Sequence, residues 1–216
     1  ESISKNKVAL IKPKENFFIK KYKPLSKRQF SKKQYKKAML LNDDGIDNEK
    51  VIDLLSSIIE KDPEYADARQ TLASLLFELN RLKQANEIID EGIKLFPNHL
   101  RFVEIKAQLF LVQNKAKEAL SLLGKTLPQL EDEPDYYNLM AVAFEKTGQL
   151  SRAGDIYKQL LKLQPNNGGY WLGLALSLEE KSQYNQAISA YKNVIGSYNS
   201  SPIIISYAKD RLTALG

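Results

Sequence analysis

Apolar residues recur along most of this chain at three- and four-residue intervals, the spacing of one helix face. The clearest stretch runs from Asp135 to Pro165. It reads as two amphipathic helices joined by a tight turn at Gly148 and stopped by Pro165. Its small residues recur at a fixed interval. Ala141 belongs to the series Ala73, Ala107, Ala141 and Ala175, with 34 residues between neighbours. Ala153 belongs to the series Val51, Ala85, Ala119, Ala153 and Ala187, again 34 apart. A small residue in the middle of each helix lets two helix axes approach, so Ala141 and Ala153 are expected to face each other.

This interval divides the chain into five helix pairs: Lys32 to Pro63, Ala66 to Pro97, Leu100 to Glu131, Pro134 to Pro165, and Gly168 to about Asn199. The turns inside them fall at Asp43-Asp44-Gly45, Asn80, Asn114, Gly148 and Ser182. Asn and Gly tolerate the positive φ of a helix end. The first copy carries Tyr35, Val51, Leu55 and Ile58 at helical spacing but reads as degenerate. Met39 stands in place of the small residue, and Asn42 where later copies have Leu76, Phe110, Phe144 and Leu178. The third copy has Pro128 in place of a terminal proline, so its second helix should end early, before the acidic loop Glu131-Asp132-Glu133. Tyr137, Phe144 and Tyr157 should fill the layer between copies, with Trp171 at the Tyr137 place one copy later. Ser201-Pro202 opens a last helix in which Ile203, Ile204, Tyr207 and Leu212 lie broadly along one face.

A helix pair repeating every 34 residues, with a small residue in each helix and a terminal proline, resembles the tetratricopeptide repeat. The fold expected is therefore all-α: a right-handed α-solenoid of antiparallel helix pairs, with repeats over residues 26–199 and a C-terminal capping helix over 200–216. Stacked repeats leave an apolar face open at the end, which such a helix closes.

Charge adds an asymmetry. Net +6 over 216 residues conceals 13 Lys and Arg against Glu1 and Glu15 within residues 1–38, and a mildly acidic remainder. Residues 1–25, with Pro13, Pro24 and the apolar triplet Phe17-Phe18-Ile19, read as a basic extended arm or linker. The arm could act on anionic membrane or nucleic acid, although no nucleic-acid module is present and no specific nucleic-acid partner is expected. It could also fold into its own groove or a neighbour's, with Phe17 and Phe18 as anchors, giving self-association. The chain begins at Glu1 rather than Met, which suggests a piece of a longer protein.

Chemistry is sparse. Without cysteine there is no disulfide and no thiolate metal site. The single histidine, His99, sits in the Pro-Asn-His connection and reads as a surface loop residue. Asp43 to Glu49 lacks the calcium-loop spacing, and Asn166-Asn167-Gly168-Gly169 lacks the Lys of a phosphate loop. No catalytic residue, metal site or cofactor is expected.

The resemblance implies that first helices line a concave groove that receives a protein or peptide segment. In this register the lining residues are Gln70, Ser74, Phe77 and Glu78; Glu104, Gln108 and Leu111; Asn138, Val142 and Glu145; and Leu172, Leu176 and Glu179. Relatives that clamp a C-terminal carboxylate use Lys, Arg and Asn along this groove. Here Gln70, Glu104 and Leu172 supply no cation, and only Asn138 matches. An apolar floor with scattered acids suits a basic, amphipathic segment. In the C-terminal half, Trp171-Leu172-Gly173-Leu174-Ala175, Ala187-Ile188, Ala190-Tyr191 and Asp210-Arg211-Leu212 resemble the periplasmic repeat region of MSHA-type pilus biogenesis proteins. That resemblance implies a periplasmic scaffold tethered to the inner membrane. A cytoplasmic location is the alternative, and other repeat proteins of envelope assembly fit the same residues.

Overall fold

The computed structural model describes residues 25–43 and 47–216. The basic arm, with Phe17 and Phe18, and the Asp44-Gly45 turn lie outside the described residues. The described residues form eleven α-helices: α1 Lys27–Asp43, α2 Asn48–Lys61, α3 Ala66–Glu78, α4 Leu82–Leu95, α5 Leu100–Val112, α6 Ala116–Leu123, α7 Pro134–Lys146, α8 Leu150–Leu163, α9 Gly168–Glu180, α10 Tyr184–Gly196 and α11 Pro202–Leu215. Each packs against the next, so the fold is an α-solenoid of helix pairs closed by α11.

Four of the turns are the same device. Asn80, Asn114 and Ser182 have φ of 57°, 58° and 56°, and Gly148 has 74°. In each turn the amide three residues past the helix reaches back to an orphan carbonyl. Arg81 donates to Leu76, Lys115 to Phe110, Gln149 to Phe144 and Gln183 to Leu178, at 2.7–2.9 Å. This is the Schellman closure, and the residue at positive φ is what it requires.

The first pair is more regular than its sequence register implied. Ala38, not Met39, is fully buried, and Leu41 packs on the core at the Leu76 place. Ala38 precedes Val51 by 13 residues, against 12 between Ala73 and Ala85. One extra residue in the Asp43–Asp47 connection displaces α1 by one position and accounts for the apparent degeneracy. Helix α1 also begins at Lys27, earlier than the expected Lys32.

The third pair departs further. Helix α6 is 8 residues long and stops at Leu123, well before Pro128. A proline lacks an amide hydrogen and excludes the helical region for the residue ahead of it, so the helix cannot run through Leu127. Two tyrosines of α7 cover the broken end. The Tyr136 hydroxyl, fully buried, donates to the Leu123 carbonyl at 2.7 Å, and the Tyr137 hydroxyl to the Pro128 carbonyl at 2.5 Å.

The seam between α8 and α9 is tighter. A Cβ on Gly173 would run into the Tyr157 ring, and one on Gly154 into Ser177. Ala141 and Ala153 are both fully buried in the same cluster. Helix α11 closes this end with Ile204, Ala208, Leu212 and Leu215. Ile203 is 81% exposed and does not belong to the packed face that the sequence grouped it with, whereas Tyr207, 42% exposed, sets its ring 6.4 Å from that of the buried Tyr191.

Candidate functional site

Curvature follows from which helices meet. Two successive pairs of first helices touch, α3 with α5 and α5 with α7, and α9 touches α11. No second helix approaches the next second helix comparably. The side where axes converge is the inner one, so the first helices line the concave face.

On that face each helix presents one stripe. Helix α3 offers Gln70, Ser74 and Phe77, all half-buried, and Glu78, exposed. Helix α7 offers Asn138, Val142 and Glu145, and α9 offers Leu172, Leu176 and Glu179, all half-buried. Helix α5 differs: Gln108 is half-buried, but Leu111 and Glu104 are buried, so these two are wall rather than lining. The stripes also carry two acids that the sequence register passed over. Asp67 is one turn from Gln70 and Asp135 one turn from Asn138, both exposed. Their recurrence two repeats apart was the available signal.

The acids of the expected set do not act alike. Glu104 accepts from Arg101 at 2.9 Å, its other oxygen is buried without a partner, and burial pushes its carboxyl up from the usual range. Burial likewise raises Glu145, against the opposing pull of the Tyr157 hydroxyl. Glu179 is tied to Arg211 of α11 and accepts from the Tyr191 hydroxyl at 2.7 Å. Burial works against its charge, but the Arg211 and Tyr191 bonds win and hold its carboxyl below the usual range. Glu179 thus ties α9 to α10 and α11. Of the four acids placed in the groove, Glu104 and Glu179 are ion-paired, and Glu78 and Glu145 form no ion pair among the described residues.

Outside the groove, two hollows lie between second helices. One of about 490 Å³ is floored by Trp171, Leu174 and Leu178 between α8 and α10. The Trp171 indole donates to the Pro165 carbonyl at 2.7 Å, repeating one pair later the reach of Tyr137 to Pro128. The other, about 320 Å³, holds Lys106, which donates to Asp90 and Asn86 at 2.6 Å. His99 is not a free loop residue. Its ring lies 4.5 Å from that of Phe102 and 6.4 Å from that of Phe96. Among the described residues no three potential metal ligands converge.

Comparison with known proteins agrees with this geometry. The tetratricopeptide-repeat pattern matches residues 46–109 and again 138–202. Human tetratricopeptide repeat protein 7A is 24% identical over 132 residues, which is 61% of this chain and 15% of that protein's length. Among solved structures, pilF of Pseudomonas aeruginosa superposes with a TM-score of 0.71 at 15% identity, covering 88% of this chain and 90% of that one. MamA of Desulfovibrio magneticus RS-1 (41-end) gives 0.67 at 19%, covering 80% and 97%. YrrB, described as a repeat protein with an unusual peptide-binding site, gives 0.67 at 14%, covering 82% and 90%. At these identities the structural likeness concerns the fold alone.

Proposed function

This chain belongs to the tetratricopeptide-repeat family, and we propose that it is a non-enzymatic scaffold holding a basic, amphipathic protein segment in its concave groove. The observation that carries this reading is the composition of the inner stripes. Phe77, Val142, Leu172 and Leu176 make a half-buried apolar floor, with Asp67, Glu78 and Asp135 along it. A segment with apolar residues on one helical face and lysines or arginines on its flanks matches both features. No cation stands where a bound carboxylate terminus would need one: Gln70 and Leu172 are neutral, and Glu104 occupies Arg101.

The setting we propose is envelope assembly of the type IV pilus kind, in a periplasmic protein tethered to the inner membrane. The Trp171–Ala175 run and the likeness to pilF support it. Photo-crosslinking in the full-length protein tests the surface. A crosslinker at Phe77 or Leu176 should capture a discrete partner, and one at Lys192, exposed on α10, should not. Capture at Lys192 with none at the groove positions would overturn the assignment.

A further inference from the structure

Helix α1 carries a face that no other described helix covers. Lys32, Lys33, Lys36 and Lys37 are all exposed. None forms an ion pair among the described residues. At about 1.5 Å of rise per residue they place four positive charges within roughly 8 Å of helix. The opposite side, with Ser31, Ala38 and Leu41, packs on the core, so the lysines turn outward at the first end of the solenoid. Two exposed leucines flank them, Leu25 at 51% and Leu40 at 59%.

We propose that this lysine face is a docking surface for an anionic lipid bilayer, which it meets end-on. Three features favour lipid over nucleic acid. On α1 neither aromatic ring is free to stack on a base: Lys61 lies over Phe30 at 4.3 Å, and the Tyr35 hydroxyl bonds Thr71 at 3.0 Å. The one arginine of the helix, Arg28, is held by Asp62 at 3.3 Å and lies over Tyr65, so no guanidinium is available to bracket a phosphate. Leu25 and Leu40 offer exposed apolar groups beside the lysines, which a membrane interface accepts and a phosphate backbone does not. The acidic body beyond residue 38 is repelled by the same lipids, so the charge asymmetry orients the protein with α1 toward the bilayer and the groove clear of it.

Co-sedimentation of the whole chain with vesicles of phosphatidylcholine, alone or mixed with phosphatidylglycerol, tests this. The parent should partition onto the mixed vesicles only, and less as ionic strength rises. At about 1 kcal/mol per lysine, replacing Lys32, Lys33, Lys36 and Lys37 by Gln should weaken partition at least ~10-fold. These side chains are exposed and Gln is a comparable helix former, so the fold should persist by circular dichroism. Leu40→Gln should lower vesicle partition and leave binding to a duplex DNA oligonucleotide unchanged. Replacing Lys5, Lys7, Lys12 and Lys14 by Gln should cost less than the α1 variant. Partition of the α1 variant equal to the parent's would overturn the proposal. So would a greater loss in the Lys5–Lys14 variant, or parent binding to the DNA as tight as to the vesicles.

Discussion

The seams on either side of the fourth pair show two ways of joining repeats. Between α8 and α9 two helices come so close that glycines stand where other copies have large residues. Gly173 occupies the row of Ile105 and Leu139, and Gly154 the row of Leu120 and Ile188. The space released is filled by Tyr157 and Ser177. Between α6 and α7 the helix ends early, and the joint is made by tyrosine hydroxyls on carbonyls. The first seam rests on shape, and the second adds hydrogen bonds to the packing of Ala119 and Leu123 against Tyr136 and Met140.

The largest effect should come from breaking the tight seam. Gly173→Ala forces the Tyr157 ring aside and should cost roughly 2–3 kcal/mol, a fall of about 5–10 °C in the thermal midpoint. Adding Tyr157→Leu, the residue that Leu123 supplies one repeat earlier, should recover part of the loss. No coupling between the two changes would deny that the glycine exists for the ring. On the other seam, Tyr136→Phe strands the buried Leu123 carbonyl and should cost about 1–2 kcal/mol in denaturant unfolding. Burial holds the Tyr136 phenol up at about 12, so this bond should survive mild alkali.

Smaller changes sharpen the contrast. Ser182→Gly relieves an L-residue at φ 56° and should stabilise by about 0.5 kcal/mol after the cost of glycine's freedom in the unfolded chain. The same change at an ordinary helix position should destabilise. Glu145→Gln is the smallest. Its carboxyl is raised in the folded state, so folding binds a proton more readily than the unfolded chain does. The penalty for ionisation is present above the raised value and vanishes as pH falls below the ordinary 4.5. The variant should therefore be slightly more stable than the parent at pH 7 and no better below pH 4.5.

What the sequence disclosed depended on whether a feature was periodic. Asn80, Asn114, Gly148 and Ser182 share a row and a conformation. A one-residue insertion defeats the ruler: it set Met39 on the place that Ala38 fills. The end of α6 was misplaced because Pro128 marks where a helix is forbidden, not where it stops. Gly154 and Gly173 were legible as gaps in rows of large residues, but only a partner from another row, Ser177 or Tyr157, gives such a gap a meaning. Helical spacing alone set Gln70, Ser74 and Phe77, Asn138 and Val142, and Leu172 and Leu176 on one face of α3, α7 and α9 respectively. The engagement of Glu104, Glu145 and Glu179 did not, because it depends on burial and on Arg101, Tyr157 and Arg211 reaching them in three dimensions.

Selection from a random peptide library tests the central claim most directly. The whole chain should retain sequences with apolar residues at helical spacing flanked by Lys or Arg. The variant Phe77→Ala plus Leu176→Ala, which leaves the buried Leu111 intact, should lose them while keeping its helical spectrum. Retention of the same peptides by that variant, or a consensus ending in an acidic C-terminus, would contradict the groove as drawn here.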